Sequence, residues 1–323
     1  MVSHGYLLPT RGVTMASDDP GELATRVQAD VVGLARRAES AGFESLWVGD
    51  RVVDYHRPEA LTTLATVAGA TESATLGTAV YLPTLRHPVH VAHRTATLDQ
   101  LSGGRLALGV GAGAPDVEYE HERLGIPFED RGTRLNESLD AVRALWSGDR
   151  VDYEGEVYDL SDVGIGFSPV RTPTVYIATG SYHSEKGFPR PVANRIATHG
   201  DGWLPLGISA SDYADGLARI RDLFLETGRD PDRLDAAVYQ DVVVDETEEA
   251  AIERAREFLL SYYGSRHQEL PEDRIREQGV FGPPECVAEH LDRYADAGVE
   301  TFVTRFPARN QREQLSRFVE IME

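Results

Sequence analysis

Eight times along this chain a short, apolar, β-rich run gives way to a stretch with helical periodicity, and this alternation restricts the fold more than any single motif. The runs lie at residues 4–8, 43–48, 75–82, 105–110, 175–178, 202–205, 236–244 and 299–304. Helical patterns occupy 22–40, 59–71, 89–101, 131–147, 186–198, 211–227, 247–263, 284–297 and 310–322. Within 22–40, Leu23, Val27, Val31, Leu34 and Ala38 recur near a 3.6-residue period, and Leu135, Leu139, Val142 and Trp146 do the same within 131–147. Strand–helix alternation implies a parallel sheet, because parallel neighbours need a crossover connection. Eight units in 323 residues predict an α/β fold of the (β/α)8 TIM-barrel type, for which ~250 residues plus insertions is typical. A doubly wound open sheet is the alternative. A single domain over 1–323 is expected, with excursions near 149–172 and 264–282. The first holds a hairpin within 151–160 turning at Glu154-Gly155, and the second is polar and irregular. In a barrel, function sits on the loops after the strands' C-terminal ends. Here those are 9–20, 49–58, 83–88, 111–128, 179–185, 206–209, 245–246 and 305–309.

Charge narrows the class of partner. The 53 acidic and 32 basic residues give a net charge of −21, and Lys186 is the only lysine. Such a surface repels nucleic acid and anionic membranes. No apolar run approaches the ~20 residues of a membrane helix. No basic segment followed by an apolar one opens the chain, so a cytoplasmic protein is expected. Cys286 is the only cysteine, which fits a reducing compartment. It is expected to be a packed small side chain in the first turn of the 284–297 helix, away from the functional face.

The run Ser102-Gly103-Gly104-Arg105-Leu106-Ala107-Leu108-Gly109-Val110-Gly111-Ala112-Gly113 reads as a helix end, a buried strand and a glycine-rich strand exit. Gly103 and Gly104 accept the left-handed backbone that closes a helix. Gly109, Gly111 and Gly113 remove side chains where a ligand approaches the main chain. As a dinucleotide fingerprint, with Glu129 and Asp130 downstream, the run has the wrong spacing and follows the fourth strand rather than the first. His87, His90 and His93 are spaced for a helix face, but no carboxylate is close by to complete a metal set, and none is expected.

Chemistry concentrates after the second strand, where Asp50, Arg51, Asp54, Tyr55 and His56 fall within seven residues. Asp50 and Arg51 are expected to transfer protons or stabilise charge, with Tyr55 and His56 lining the pocket. The Thr179-Gly180-Ser181 loop offers backbone N–H groups to an anion. Tyr182, His183 and Arg305 are further candidates on the substrate side.

Several stretches together resemble the luciferase-like oxidoreductase superfamily. They are Gly42-Phe43-Glu44-Ser45-Leu46-Trp47-Val48, Leu76-Gly77-Thr78-Ala79-Val80, Leu85-Arg86-His87-Pro88, Thr97-Leu98-Asp99-Gln100-Leu101-Ser102-Gly103-Gly104-Arg105 with the glycine run, Leu145-Trp146-Ser147-Gly148 and Gly200-Asp201-Gly202-Trp203. The resemblance implies a TIM barrel that binds FMN or the deazaflavin coenzyme F420, with the F420-dependent branch nearer. It places Thr78, Ala79 and Val80 at a cis-peptide bulge behind the ring. It places Gly111, Ala112 and Gly113 at the cofactor-contacting strand exit, and Thr179, Gly180 and Ser181 at the phosphate-binding backbone. Asp50 matches the family's acid after the second strand. Arg51 stands where histidine is frequent, Tyr55 where a tryptophan is, and Ala114 where sugar-phosphate dehydrogenases have glutamate. That last departure argues against sugar-6-phosphate oxidation. The expected activity is F420-dependent hydride transfer with a small organic substrate. An FMN-dependent monooxygenase using oxygen and a catalytically silent flavin-binding protein are the alternatives. A homodimer is expected from family habit.

Acid excess with lysine depletion also resembles haloarchaeal proteins, in which salt screens carboxylate repulsion. The melting temperature is therefore expected to rise from low-salt buffer to molar potassium chloride. Full stability in low salt, measured by thermal unfolding, would count against that reading.

Overall fold

The computed structural model describes residues 2–53, 56–180, 182–263, 271–277 and 279–322. Its strands are β1 (Ser3–Leu7), β2 (Ser45–Val48), β3 (Thr75–Tyr81), β4 (Leu106–Val110), β5 (Val151–Glu154), β6 (Asp159–Val163), β7 (Thr174–Thr179), β8 (Gly202–Pro205), β9 (Asp235–Val244), β10 (Gly279–Gly282) and β11 (Thr301–Arg305). The hydrogen-bonded order β11-β1-β2-β3-β4-β7-β8-β9 returns to β11, because β9 pairs with both β8 and β11. Every pairing in this ring is parallel. The sheet therefore closes into an eight-stranded TIM barrel, and the β8–β9 register Trp203↔Ala236 excludes the open-sheet alternative. Buried Leu, Ile and Val alternate between the barrel interior and the ring of helices, as both faces of a parallel sheet require.

Both excursions have internal order. In the first, β5 pairs antiparallel with β6 down to Glu154↔Asp159. The turn beyond is held by one carboxylate: Glu137 accepts from the N–H groups of Glu156 (2.7 Å), Val157 (3.0 Å) and Tyr158 (3.0 Å). The second excursion, expected to be irregular, contains a helix at Glu272–Glu277 and the strand β10. β10 pairs with the C-terminal half of β9, from Gly279↔Asp241 to Gly282↔Val244. β9 is ten residues long and outruns its barrel neighbours, so its projecting edge takes a local partner. Gly-Val-Phe-Gly is too short and glycine-rich to declare this beforehand.

Two further expectations are corrected. The 22–40 helix is three pieces, Pro20–Val27, a π turn at Gln28–Val32 and Gly33–Ser40. The π turn inserts a residue and rotates the apolar face, so Val31, Leu34 and Ala38 are buried while Leu23 and Val27 are only partly so. Cys286 is exposed rather than packed, because the Pro284–Asp296 helix turns the next residue, Val287, toward the core.

The helix Pro88–Ser102 stops as expected, with Gly103 at φ 70° and Gly104 at φ 87°. The arginine that follows fastens the N-terminal end of the barrel. Arg105 donates to the carbonyls of Ser102 (2.8 Å), Ala68 (2.9 Å), Ala74 (3.1 Å) and Thr71 (3.2 Å). It thereby caps carbonyls that two helix ends and a turn leave open. Arg105→Met is expected to destabilise the protein by about 2 kcal/mol or more, read by urea denaturation. A loss under about 0.5 kcal/mol would show that water replaces these bonds without cost.

Candidate active site

One cavity of about 510 Å³ is lined by residues of six barrel strands and by Gly49 and Gly111, which directly follow β2 and β4. Leu7, Leu204 and Tyr239 contribute from inside β1, β8 and β9, and Arg305 from the end of β11.

One wall comes from a close approach of β3 to β4. A Cβ on Gly109 would lie 2.1 Å from the Thr78 carbonyl oxygen, so only glycine fits. The Thr78 hydroxyl donates to the Gly109 carbonyl at 2.8 Å. Beyond this point the ladder slips between Thr78 and Tyr81, and the Ala79–Val80 peptide is cis. The slip turns Ala79 and Val80 toward the cavity. Asp50 N–H donates to the Val80 carbonyl and Gly111 N–H to that of Tyr81, both at 3.1 Å. Thr78, expected to touch the cofactor, is fully buried and does not line the cavity; its hydroxyl holds the bulge. The expected Gly111, Ala112 and Gly113 do line it, with Gly113 at φ 96°.

A second wall is formed by the loop after β7 and the start of the helix Arg190–His199. Thr179 and Gly180 line the cavity, and the Thr179 hydroxyl accepts from Trp203 Nε1 at 3.0 Å. A Cβ on Gly180 would meet nothing within 4 Å. The first turn of the helix Arg190–His199 faces the same space through Pro189 and Val192, with no side chain capping it. Arg195 reaches in from the next turn, donating to Asn136 Oδ1 (2.7 Å) and the Gly132 carbonyl (3.2 Å). Arg131 donates to the carbonyls of Gly113 (3.3 Å) and Phe128 (3.1 Å). Burial and the neighbouring Arg131 hold Arg195 below its ordinary pKa. Among the described residues neither arginine has a carboxylate partner. Ser181 lies outside the described residues.

The acid cluster after β2 divides in two. Asp50 is buried, and Arg86 donates to both its oxygens at 2.6 and 2.9 Å, with Leu82 N–H adding a third bond at 3.1 Å. Burial pushes the Asp50 carboxyl up from its ordinary value, against the pull of Arg86. Arg51 pairs with Asp116 at 2.6 Å and with the fully buried Glu120, whose other oxygen accepts from Val52 and Val53 N–H. These two pairs brace the 49–59 loop against the loops after β3 and β4. Asp50 and Arg51, expected to transfer protons or stabilise charge, both line the cavity. His56 is exposed at φ 45° and does not line the cavity, and Tyr55 lies outside the described residues.

Among the weaker candidates, Tyr182 lines the cavity but its phenol, bonded to Asp215, is pushed up to about 12 by burial and that bond. His183 is exposed and outside the lining. Arg305 lines the cavity in a two-pronged pair with Asp241. Arg57, Arg195, Tyr239 and Tyr262 also line it, and sequence reading singled out none of them. Arg57 sits in the named 49–58 loop, but Tyr262 comes from the end of a distant helix and carried no local signal. No three His, Cys, Asp or Glu among the described residues form a group that would hold a metal ion.

Residues 4–301 match the luciferase-like monooxygenase family. The chain is 31% identical to an F420-dependent glucose-6-phosphate dehydrogenase of Amycolatopsis mediterranei, covering 90% of this chain and 92% of that protein. It is 30% identical to one of Kineococcus radiotolerans, covering 93% and 91%. In fold it resembles an F420-dependent secondary alcohol dehydrogenase solved with an F420–acetone adduct, at TM-score 0.79, 21% identity and coverage of 99% and 98%.

Replacing Arg86 by Met strands a buried carboxylate and is expected to cost about 3 kcal/mol. Adding Asp50→Asn should recover part of that loss. Strictly additive losses in a double-mutant cycle would show that the two side chains are not a unit.

Proposed function

The chain belongs to the luciferase-like monooxygenase family, and within it we propose an oxidoreductase that uses coenzyme F420 to exchange a hydride with a small organic substrate. The observation that carries this reading is the shape and charge of one cavity. A wall poor in side chains, formed by Gly111, Ala112, Gly113 and the Ala79–Val80 bulge, leads to an open Gly180 backed by Arg195. A flat ring with an anionic tail fits such a space. Relatives named for F420 dependence, matching nine-tenths of the chain, support it.

When bound, the coenzyme supplies the ring carbon that gives or takes the hydride. The protein's part is placement and electrostatics. Ala79, Val80 and the glycine exit would receive the ring. Thr179, Gly180, the uncapped first turn of the Arg190–His199 helix and Arg195 would hold the phosphate, where helix dipole and backbone N–H groups favour negative charge. Asp50 with Arg86, and Arg51 with Glu120, act as positioning residues that fix the loops over the ring. Leu7, Leu204 and Val117 exclude water from the reacting face. Ala114 leaves the position after the glycine exit without a carboxylate, so the substrate differs from a sugar phosphate oxidised with a glutamate at that place.

Gly180→Val fills space that nothing in the protein occupies. It is expected to weaken F420 binding roughly tenfold or more, about 1.4 kcal/mol, in a fluorescence titration, with an unchanged melting temperature. Unchanged F420 affinity would remove this loop from the site. Tight FMN binding with no F420 affinity would replace the proposal by the FMN-dependent, oxygen-using reading.

A further inference from the structure

The active end of the barrel carries a second cavity, larger than the first at about 670 Å³. Three segments build most of it. They are the short helix Thr10–Thr14 after β1 with the two residues beyond it, the last turns of the helix Glu248–Tyr263, and residues 308–313 after β11. Tyr262 lines both cavities, and the adjacent Arg11 and Gly12 line one each.

The apolar part of the lining includes Val13, Met15, Ala308 and Phe258, whose ring stacks on that of Tyr262 with centres 5.3 Å apart. Met15 is exposed and Phe258 half-buried, so apolar carbon is left facing open space. Most charges of the lining are matched. Arg26 pairs with Glu22 at 2.7 Å, Arg312 with Asp30 at 3.2 Å, and Glu313 with Arg317 at 2.7 Å. Arg309 is the exception: it donates to Ser261 Oγ at 3.4 Å and pairs with no carboxylate among the described residues. Its neighbour Asn310 donates from Nδ2 to Glu313 Oε2 at 2.6 Å, and its Oδ1 is buried with no hydrogen-bond partner. Turning that amide over would set Oδ1 against the Glu313 carboxylate, so the orientation is fixed and an acceptor is left unfilled. An unpaired guanidinium and an unfilled acceptor thus share one lining with exposed apolar carbon.

We propose that this cavity is a ligand site separate from the one assigned to the coenzyme, and that it takes an amphipathic carboxylate. The apolar body lies against Val13, Met15 and Phe258, and the carboxylate pairs with Arg309. A planar guanidinium matches a carboxylate through parallel N–H groups, and the apolar wall contributes by removing carbon surface from water. A hydroxyl or N–H on the ligand would fill Asn310 Oδ1. A neutral molecule of the same shape would leave Arg309 unmatched. Through Tyr262 and the Arg11-Gly12 step, a molecule bound here touches elements that also line the first cavity.

Calorimetric titration of octanoate into the protein tests this, with octanol as the neutral control of equal chain length. Octanoate should bind more tightly than octanol. Arg309→Gln should weaken octanoate about tenfold and leave octanol unchanged. Ala16→Trp, at an exposed position of the lining, fills the space and should weaken both. Melting temperatures should stay at the wild-type value, and octanoate affinity should be the same with and without F420. No binding of octanoate, octanol binding as tightly as octanoate, or wild-type octanoate affinity in either folded variant would overturn the proposal. Displacement of octanoate by F420 would also overturn it, by placing the probe in the first cavity. Arg309→Gln alters an exposed side chain, so it decides the outcome even if Ala16→Trp does not fold.

Discussion

The mouth of this barrel depends on one contact, the approach of β4 to β3 at Gly109. With 2.1 Å between a hypothetical Cβ and the Thr78 carbonyl oxygen, the two strands meet more closely than side chains allow. The Thr78 hydroxyl closes the contact from the other strand. Past it the ladder slips, and Ala79 and Val80 leave the regular pleat for the cavity. Asp50 N–H then takes the Val80 carbonyl, so the loop after β2 is registered on the bulge. The wall proposed to receive the ring and the loop that covers it are both set by the absence of one side chain.

Around that frame the charges do two kinds of work. Asp50–Arg86, Arg51–Glu120 and Arg305–Asp241 are matched pairs within or beneath the cavity rim. Burying such pairs contributes little net stability, because desolvation offsets their attraction. Their effect is to hold loops in one arrangement. Arg57 and Arg195 are different, since their partners are neutral.

Much of the architecture was legible because it follows from local chemistry. The β/α alternation, the helix stop at Gly103-Gly104 and the apolar strand of Leu106, Leu108 and Val110 each follow from what a residue type does to its own backbone. The cis bulge and the Gly180 wall were legible through family resemblance. What escaped depends on neighbours distant in sequence. β10 exists because β9 overshoots its barrel partners, which no window around Gly279 reveals. The π turn at Gln28–Val32 leaves the apolar spacing intact while rotating it. Asp50 was legible as a residue displayed at a strand's end, and it lines the cavity, but its pairing with Arg86, 36 positions on, was not.

The sequence by itself determined the barrel, since strand order and glycine placement are written in short segments, and its motifs carried the family resemblance. Only the tertiary structure decided which charges are matched. Arg57 and Tyr262 stand 205 positions apart and meet because barrel closure brings the loop after β2 and the helix after β9 over the same opening. Charge matching is a property of distance in space, and no pattern along the chain encodes it.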